Sequence, residues 1–342
     1  MPLKLSYHLY DLPFEYPFRI SKGVKTHQPG LAVSLSFMGQ RGYGEAPAIT
    51  YYNITAEQML EDLLRKQKFV EQFAFSDPER YWHYLHHLFP QNPFLVSALD
   101  MAGWDLYGKL KRKPLYELWH LDPKNIPPTD YTIGIDEIDI MLEKMKRKPW
   151  PVYKVKVGVE GDIEMIEALR KQTDKPFRVD ANAGWSLEQA LEKIPRLERL
   201  GVELVEQPLA KDDWEGMEKL FKVSDLPLFA DESCVSEHDV KRCAAVFHGI
   251  NIKLTKCSGI TPARRMIREA RELGLKVMMG CMNETSIGSS AIAHLAPSLD
   301  YVDMDGTLLI TEDLGSGIQF NKEGQAQLTT KPGLGIEVSA KF

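Results

Sequence analysis

Eight short apolar runs recur between residues 130 and 305 of this 342-residue chain: "DYTIGI", "VYKVKVG", "FRVDA", "VELVEQ", "LPLFAD", "GINIKL", "LKVMMG" and "YVDMD". Charged segments of helical period, such as "DIEMIEALRKQ" and "SLEQALEKIPRLERL", separate the first seven from their successors. Continuous apolar runs of this length read as strands buried on both faces, and their alternation with helices argues for a parallel sheet. Eight strands at a spacing of roughly 20–30 residues predict a (β/α)8 barrel. The open doubly wound sheet is the rival architecture. It ordinarily carries a glycine-rich first turn, and no G-x-G-x-x-G follows a strand here.

The flanks read differently. "MPLKLSYHLYDLP" alternates like a strand, "LAVSLSF" is a second strand, and "RGYGEAP" reads as a turn followed by an extended piece. A helix is expected from Thr55 to Phe73 with Thr55 as its N-cap. "ERYWHYLHHLF" is an amphipathic helix whose three histidines face water rather than a metal, and "NPFLVSALDMAGWDLYGKLKRKPLYELW" is a long helical run broken near Pro114. Past residue 310 the chain is strand-like and too short to fold alone.

Composition excludes several classes. With 44% apolar and 26% charged residues the chain is an ordinary folded, soluble protein. A net charge of −6 argues against a nucleic-acid partner. No apolar run approaches the ~18 residues of a membrane span, and the N-terminal stretch lacks a secretory h-region. Cys234, Cys243, Cys257 and Cys281 form no C-x-x-C pair and no disulfide framework, so reduced thiols in a cytoplasmic protein are expected.

The chemistry stands at the strand ends, where the active site of such a barrel lies. Strand two ends on Lys154 and Lys156, strand three on Asp180, strand four on Glu206 and strand five on Asp231. Strand six carries Lys253, and strand eight bears Asp303 and Asp305. A solvated rim explains any one of these. It does not easily explain single carboxylates at the same relative position on three consecutive strands. Converging carboxylates repel unless a cation joins them, and an all-oxygen set favours a hard ion such as Mg2+. Asp180, Glu206 and Asp231 are therefore the expected metal ligands, with Asn182 and Gln207 as donors behind them. Lys154 and Lys156 are two residues apart and point to the same side of a strand. Neighbouring positive charge lowers a lysine pKa and fits it to act as a base. Lys253 lies four strands on from Lys156, so the pair can serve opposite faces of one substrate. Lys256, in the loop "TKCSGI", competes for that second role, and Lys253 is preferred.

Taken in order, "YKVKVG", "DANAGW", "VEQP", "ADES", "NIKLTKCSGI" and "KPGLGI" resemble the enolase superfamily, muconate-lactonizing subgroup, over nearly the whole chain. Ser258 stands where a second glycine is usual. The resemblance implies an α+β capping domain over residues 1–125, a modified barrel over 126–310, and a segment 311–342 packing back on the cap. It also implies Mg2+-dependent proton abstraction next to a carboxylate, through an enediolate. Within the subgroup, Asp303 and Asp305 look like the clamp that dipeptide epimerases place on a substrate α-ammonium, with Lys154 also at the substrate. The expected reaction is epimerisation at the α-carbon of the second residue of an Ala-Xaa dipeptide. Muconate cycloisomerase, o-succinylbenzoate synthase and N-acylamino acid racemase are the alternatives, with a non-catalytic binding protein behind them. Loops 19–29 and 47–52 are expected over the barrel mouth, presenting Gly23 and Tyr51, with Met282 following strand seven. Gly23 stands where Ala-Glu epimerases carry a basic residue; Lys22 and Lys25 flank it. A small first residue and a neutral or hydrophobic second one are therefore expected. A homo-oligomer is compatible with the sequence.

Overall fold

The computed structural model describes residues 2–339. Strands β1 (Lys4–Ile20), β2 (Gly23–Phe37) and β3 (Gln40–Pro47) form an antiparallel sheet in that order. These strands run longer than their apolar stretches. The segment 19–29, expected as a loop, is the tip of the β1–β2 hairpin: Ile20 pairs with Gly23 and Leu12 with Gln28. "RGYGEAP" holds no turn either. The chain reverses earlier, at Met38 and Gly39, both in the left-handed region with φ of 50° and 78°, as a two-residue hairpin requires. Gly42 and Gly44 lie inside β3 and serve close approach instead. A Cβ on Gly42 would stand 2.2 Å from Ala102 O, and one on Gly44 2.0 Å from Ala98 O.

Those carbonyls belong to α3 (Pro93–Lys111), which follows α1 (Ala56–Gln72) and α2 (Pro78–Leu88). Thr55 caps α1 in a reciprocal box with Gln58. His83, His86 and His87 of α2 are exposed, and His86 stacks on Trp82. α3 is buried on most of its circumference because the sheet packs on one side and the barrel on another. It stops at Arg112, a left-handed residue, and helix resumes only after Pro114.

Eight parallel strands follow: β4 (Tyr131–Ile133), β5 (Tyr153–Lys156), β6 (Phe177–Asp180), β7 (Val202–Glu206), β8 (Leu228–Ala230), β9 (Gly249–Ile252), β10 (Lys276–Gly280) and β11 (Tyr301–Asp303). Each falls on one of the eight apolar runs, and they pair in sequence order. Thr129, just before β4, bridges to Val302 of β11, so the sheet comes round nearly into a closed barrel. Side chains inside follow the strand period of two. Leu204, Phe229 and Met278 pack with Tyr301 in a lower layer. Arg178 lies beside them, bonded to Asp130 Oδ2 at 2.8 Å and to the Val302 carbonyl at 2.9 Å. Two residues further along β6, Asp180 points into the layer above.

Long-range polar contacts join the sheet, the barrel and the residues beyond 310. Glu45, at the end of β3, is fully buried. It accepts Thr285 N, Thr285 Oγ1 and Gly288 N at 2.7–2.9 Å around the start of the helix Ser286–Leu295. Asp105 of α3 accepts Tyr43 N at 2.9 Å and Leu334 N at 2.8 Å. Gly324 O, in the same closing segment, accepts Thr129 N at 2.9 Å. Among the described residues no helix is long and apolar enough to cross a membrane.

The glycine contacts give a direct stability prediction. Gly44→Val should lower stability by roughly 2–3 kcal/mol, since an overpacked site must push β3 off α3. Gly39→Ala, at a position open around its Cβ, should cost less. Denaturant midpoints of the two variants check the order.

Candidate active site

Strand register brings the acids together. Lys156 of β5 is paired with Asp180 of β6, and Asp180 with Glu206 of β7. The chain then turns sharply. Asn182, Ala183 and Gln207, just past Asp180 and Glu206, have φ of 44°, 58° and 37°, a region non-glycine residues seldom occupy. Ala183 N donates to Gln207 O at 2.8 Å, which fastens one turn to the next. Gln207 Oε1 accepts Asp231 N at 3.0 Å and Ser233 N at 3.1 Å. Gln207 thus holds the backbone of Asp231 rather than its carboxylate. Asn182 N donates to Asp180 Oδ1 at 2.9 Å.

Four lysines interleave with these acids. Lys154 Nζ lies 2.7 Å from Asp303, 2.8 Å from Glu206 and 3.2 Å from Asp180. Lys156 Nζ lies 2.6 Å from Asp180, and Lys253 Nζ 2.7 Å from Asp231 Oδ2. Lys256 Nζ bonds Asp231 Oδ1, the Asp231 carbonyl at 2.6 Å and the Asn251 carbonyl at 3.1 Å. Its three hydrogens therefore all have acceptors. Asn251 Nδ2 donates to Glu206 Oε1 at 2.8 Å.

The charges set one another. Burial works against the Lys154 and Lys253 ammoniums, yet the facing carboxylates outweigh it and hold both well above the ordinary lysine value. Each of these two ammoniums sees more carboxylates than cations. Burial raises Asp180, but Lys156 and Lys154 outweigh it and keep the carboxyl below its usual range. Burial, then Asp180, raises Glu206. Asp303 is driven down to about 2, with Lys154 overcoming its burial. Asp305 is pushed up to about 7, by burial and then by Asp303.

A cavity of about 420 Å³ opens above this cluster. Lys156, Lys253, Asp231, Asn182, Asp303 and Asp305 line it. Gly23, Tyr51 and Met282 line it as well, brought in by the β1–β2 hairpin, the 3-10 turn Thr50–Tyr52 and the segment after β10. Lys154, Asp180, Glu206, Gln207 and Lys256 are buried below, off the lining. Lys22 and Lys25 face the same cavity. Burial, then Lys253, lowers the Lys25 ammonium to about 8.

The cavity also holds residues beyond those expected from the sequence. Glu232 lines the cavity beside Asp231, only 8% exposed, and is raised to about 7 by burial, Asp231 and Asp180. The adjacent acids of "ADES" were a visible signal. Strand period would turn the second one outward, but β8 has already ended at Ala230. Phe18, Thr132 and Cys281 line the cavity too, and no motif marks them.

The donor set fits a hard divalent cation. Asp180, Glu206 and Asp231 supply only oxygen, and beside Asp231 the buried Glu232 Oε2 has no hydrogen-bond donor. Residues 139–342 match the family model described as Enolase C-terminal domain-like. The chain is 47% identical to an L-Ala-D/L-amino acid epimerase of Maribacter sp., covering 98% of this chain and 100% of that one. It is 46% identical to an L-Ala-D/L-amino acid epimerase of Flavobacterium johnsoniae, over 98% and 99%. A crystal structure of a dipeptide epimerase from Cytophaga hutchinsonii, complexed with Mg and D-Ala-L-Val, superposes with a TM-score of 0.95 at 27% identity, over 100% of this chain and 97% of that one. With eight barrel strands, acids on three consecutive strand ends and relatives matched end to end, this chain is a member of the enolase C-terminal domain-like family.

Proposed function

We propose that the protein is a Mg2+-dependent dipeptide epimerase, an isomerase that inverts the α-carbon of the second residue of an Ala-Xaa dipeptide. The observation that carries the reading is one cavity with a lysine on each of two sides and a pair of carboxylates on a third. Lys156 stands on one strand end and Lys253 on another four strands away, with Asp231 between them and Asp303 and Asp305 at a third side. The names of the relatives support it.

Asp180, Glu206 and Asp231 would hold the Mg2+. The ion would supply positive charge for the substrate carboxylate and offset the carboxylates that face Lys253. The rest is the work of the chain. Lys156 Nζ or Lys253 Nζ, as the free amine, takes the α-proton from its own face, and the opposite lysine, as the ammonium, returns one. Lys256 is not the second base: its hydrogens are committed to Asp231 and Asn251 and it does not reach the cavity. Lys154 fixes Asp303 and the acids beneath the substrate. Asp303 and Asp305 receive the α-ammonium of the first residue. Two carboxylates there disfavour the dicarboxylate substrates of the muconate and succinylbenzoate reactions. The second side chain lies against Ile49, Tyr51 and Tyr52, so a neutral or hydrophobic residue is favoured. The four cysteines are free, which suits a cytoplasmic enzyme.

The deciding experiment is incubation with Mg2+ and Ala-Val, Ala-Phe or Ala-Glu in D2O. Deuterium should enter the second α-carbon, fastest with the neutral partners, and excess chelator should abolish it. No exchange with any dipeptide rejects the reading; a clear preference for Ala-Glu would shift the second subsite to Lys22 or Lys25.

Face assignment is tested separately. Lys156→Ala should retain exchange for one stereoisomer only, and Lys253→Ala for the other only. Two variants that keep the same isomer would refute the two-base arrangement.

A third expectation follows from the raised Asp305. Below about pH 7 its carboxyl is protonated and presents no charge to the ammonium; above it the charge is present. KM for a free dipeptide should therefore rise about tenfold from pH 8 to pH 6. Asp305→Asn should flatten that dependence, and a KM profile unchanged by the substitution would remove Asp305 from the clamp.

A further inference from the structure

The wall around Asp303 and Asp305 is built unlike the opposite one. One carboxylate oxygen from each and Cys281 Sγ lie within 4.8 Å of one another. Cys281 Sγ is 3.6 Å from Asp305 Oδ1, and Thr132 N donates to Asp305 Oδ2 at 2.6 Å. A group gripped by both carboxylates is therefore bordered by Cys281 and Thr132. Phe18 closes the same side: it lines the main cavity and shares with Thr132 a small cleft of about 20 Å³ beside it. This part of β1 is pinned to the barrel. Ile135 N donates to Arg19 O at 3.0 Å, and a Cβ on Gly134 would stand 3.0 Å from that oxygen. Phe14 stacks on the Phe18 ring at 5.6 Å between centroids. The opposite end is open: Val24 is 54% and Tyr51 44% exposed.

We infer that Phe18, Thr132 and Cys281 form the wall that limits the first residue of the dipeptide to a small side chain, while the second side chain meets the open end and is read loosely. The inference rests on the dipeptide reading above. An ammonium held between two carboxylates has its α-carbon one bond away. The substituent on that carbon must therefore touch whatever borders the carboxylates. A methyl group fits there, but a branched chain meets a ring that backbone contacts hold in place. Each misfitted methylene in such a site is worth roughly 10- to 200-fold in kcat/KM.

The test compares kcat/KM for Gly-Phe, Ala-Phe, Leu-Phe and Ala-Val in the unmodified protein, Phe18→Ala and Cys281→Met. Phe18→Ala should raise the Leu-Phe to Ala-Phe ratio at least tenfold. Cys281→Met should raise the Gly-Phe to Ala-Phe ratio by a similar factor. The Ala-Val to Ala-Phe ratio should stay within about twofold throughout, which a general loss of structure would not spare. If Phe18→Ala does not fold, Phe18→Leu carries the same comparison. Unchanged first-residue ratios in folded, active variants overturn the wall alone. Absence of activity on every dipeptide in the unmodified protein overturns the dipeptide reading and the wall together.

Discussion

Everything in the site depends on keeping buried carboxylates and buried ammonium groups in alternation. Asp180, Glu206 and Asp231 are almost wholly out of water, and so are Lys154 and Lys256. Breaking one such pair by removing a partner costs about 3–5 kcal/mol, so each charge depends on its neighbours for its place. Register is the only device that supplies such neighbours on separate strands. A slip of one residue in β6 would turn Asp180 into the helix layer and bring an apolar residue inward. The left-handed residues beyond β6 and β7, and the Gln207 side chain that grips the next loop, hold the strand ends in step.

The barrel's share of this was legible in the sequence. Each apolar run was a strand, and the residue ending it was the one that points inward, because strand period and strand end coincide there. Lys253 faces the cavity and Lys256 does not, as their spacing along β9 and its loop required. The other share was hidden for a definite reason. Gly42 and Gly44 looked like turn residues because the helix that presses on them lies more than fifty residues away in sequence. Glu232 lies past the end of β8, where strand alternation no longer decides which way a side chain points. Phe18 had no local signal at all: what gives it meaning is a backbone bond between Arg19 and Ile135.

The charged groups of the site and the groups that shape its cavity come largely from different parts of the chain. The lysines and acids stand on barrel strands, whose positions are fixed on both sides by neighbouring strands. The surfaces that would touch substrate side chains come largely from the β1–β2 hairpin and the turn at Thr50–Tyr52. Glu45 is one of the joints between the two, a carboxylate from β3 set at the positive end of a barrel helix. Selectivity can therefore drift by change in the hairpin while the charge ring stays untouched.

Asp105 adds a constraint of timing. The carboxylate lies in α3, yet one of its donors is the backbone amide of Leu334, 229 residues later. Until that stretch has emerged, the sheet and its helices carry a buried acid short of a donor, and the barrel's first strand lacks the Gly324 carbonyl that receives Thr129. Neither half can reach its final form as the nascent chain grows. The molecule is fastened only once residues 324–334 have been made, and a chain cut short before them leaves both halves unfinished.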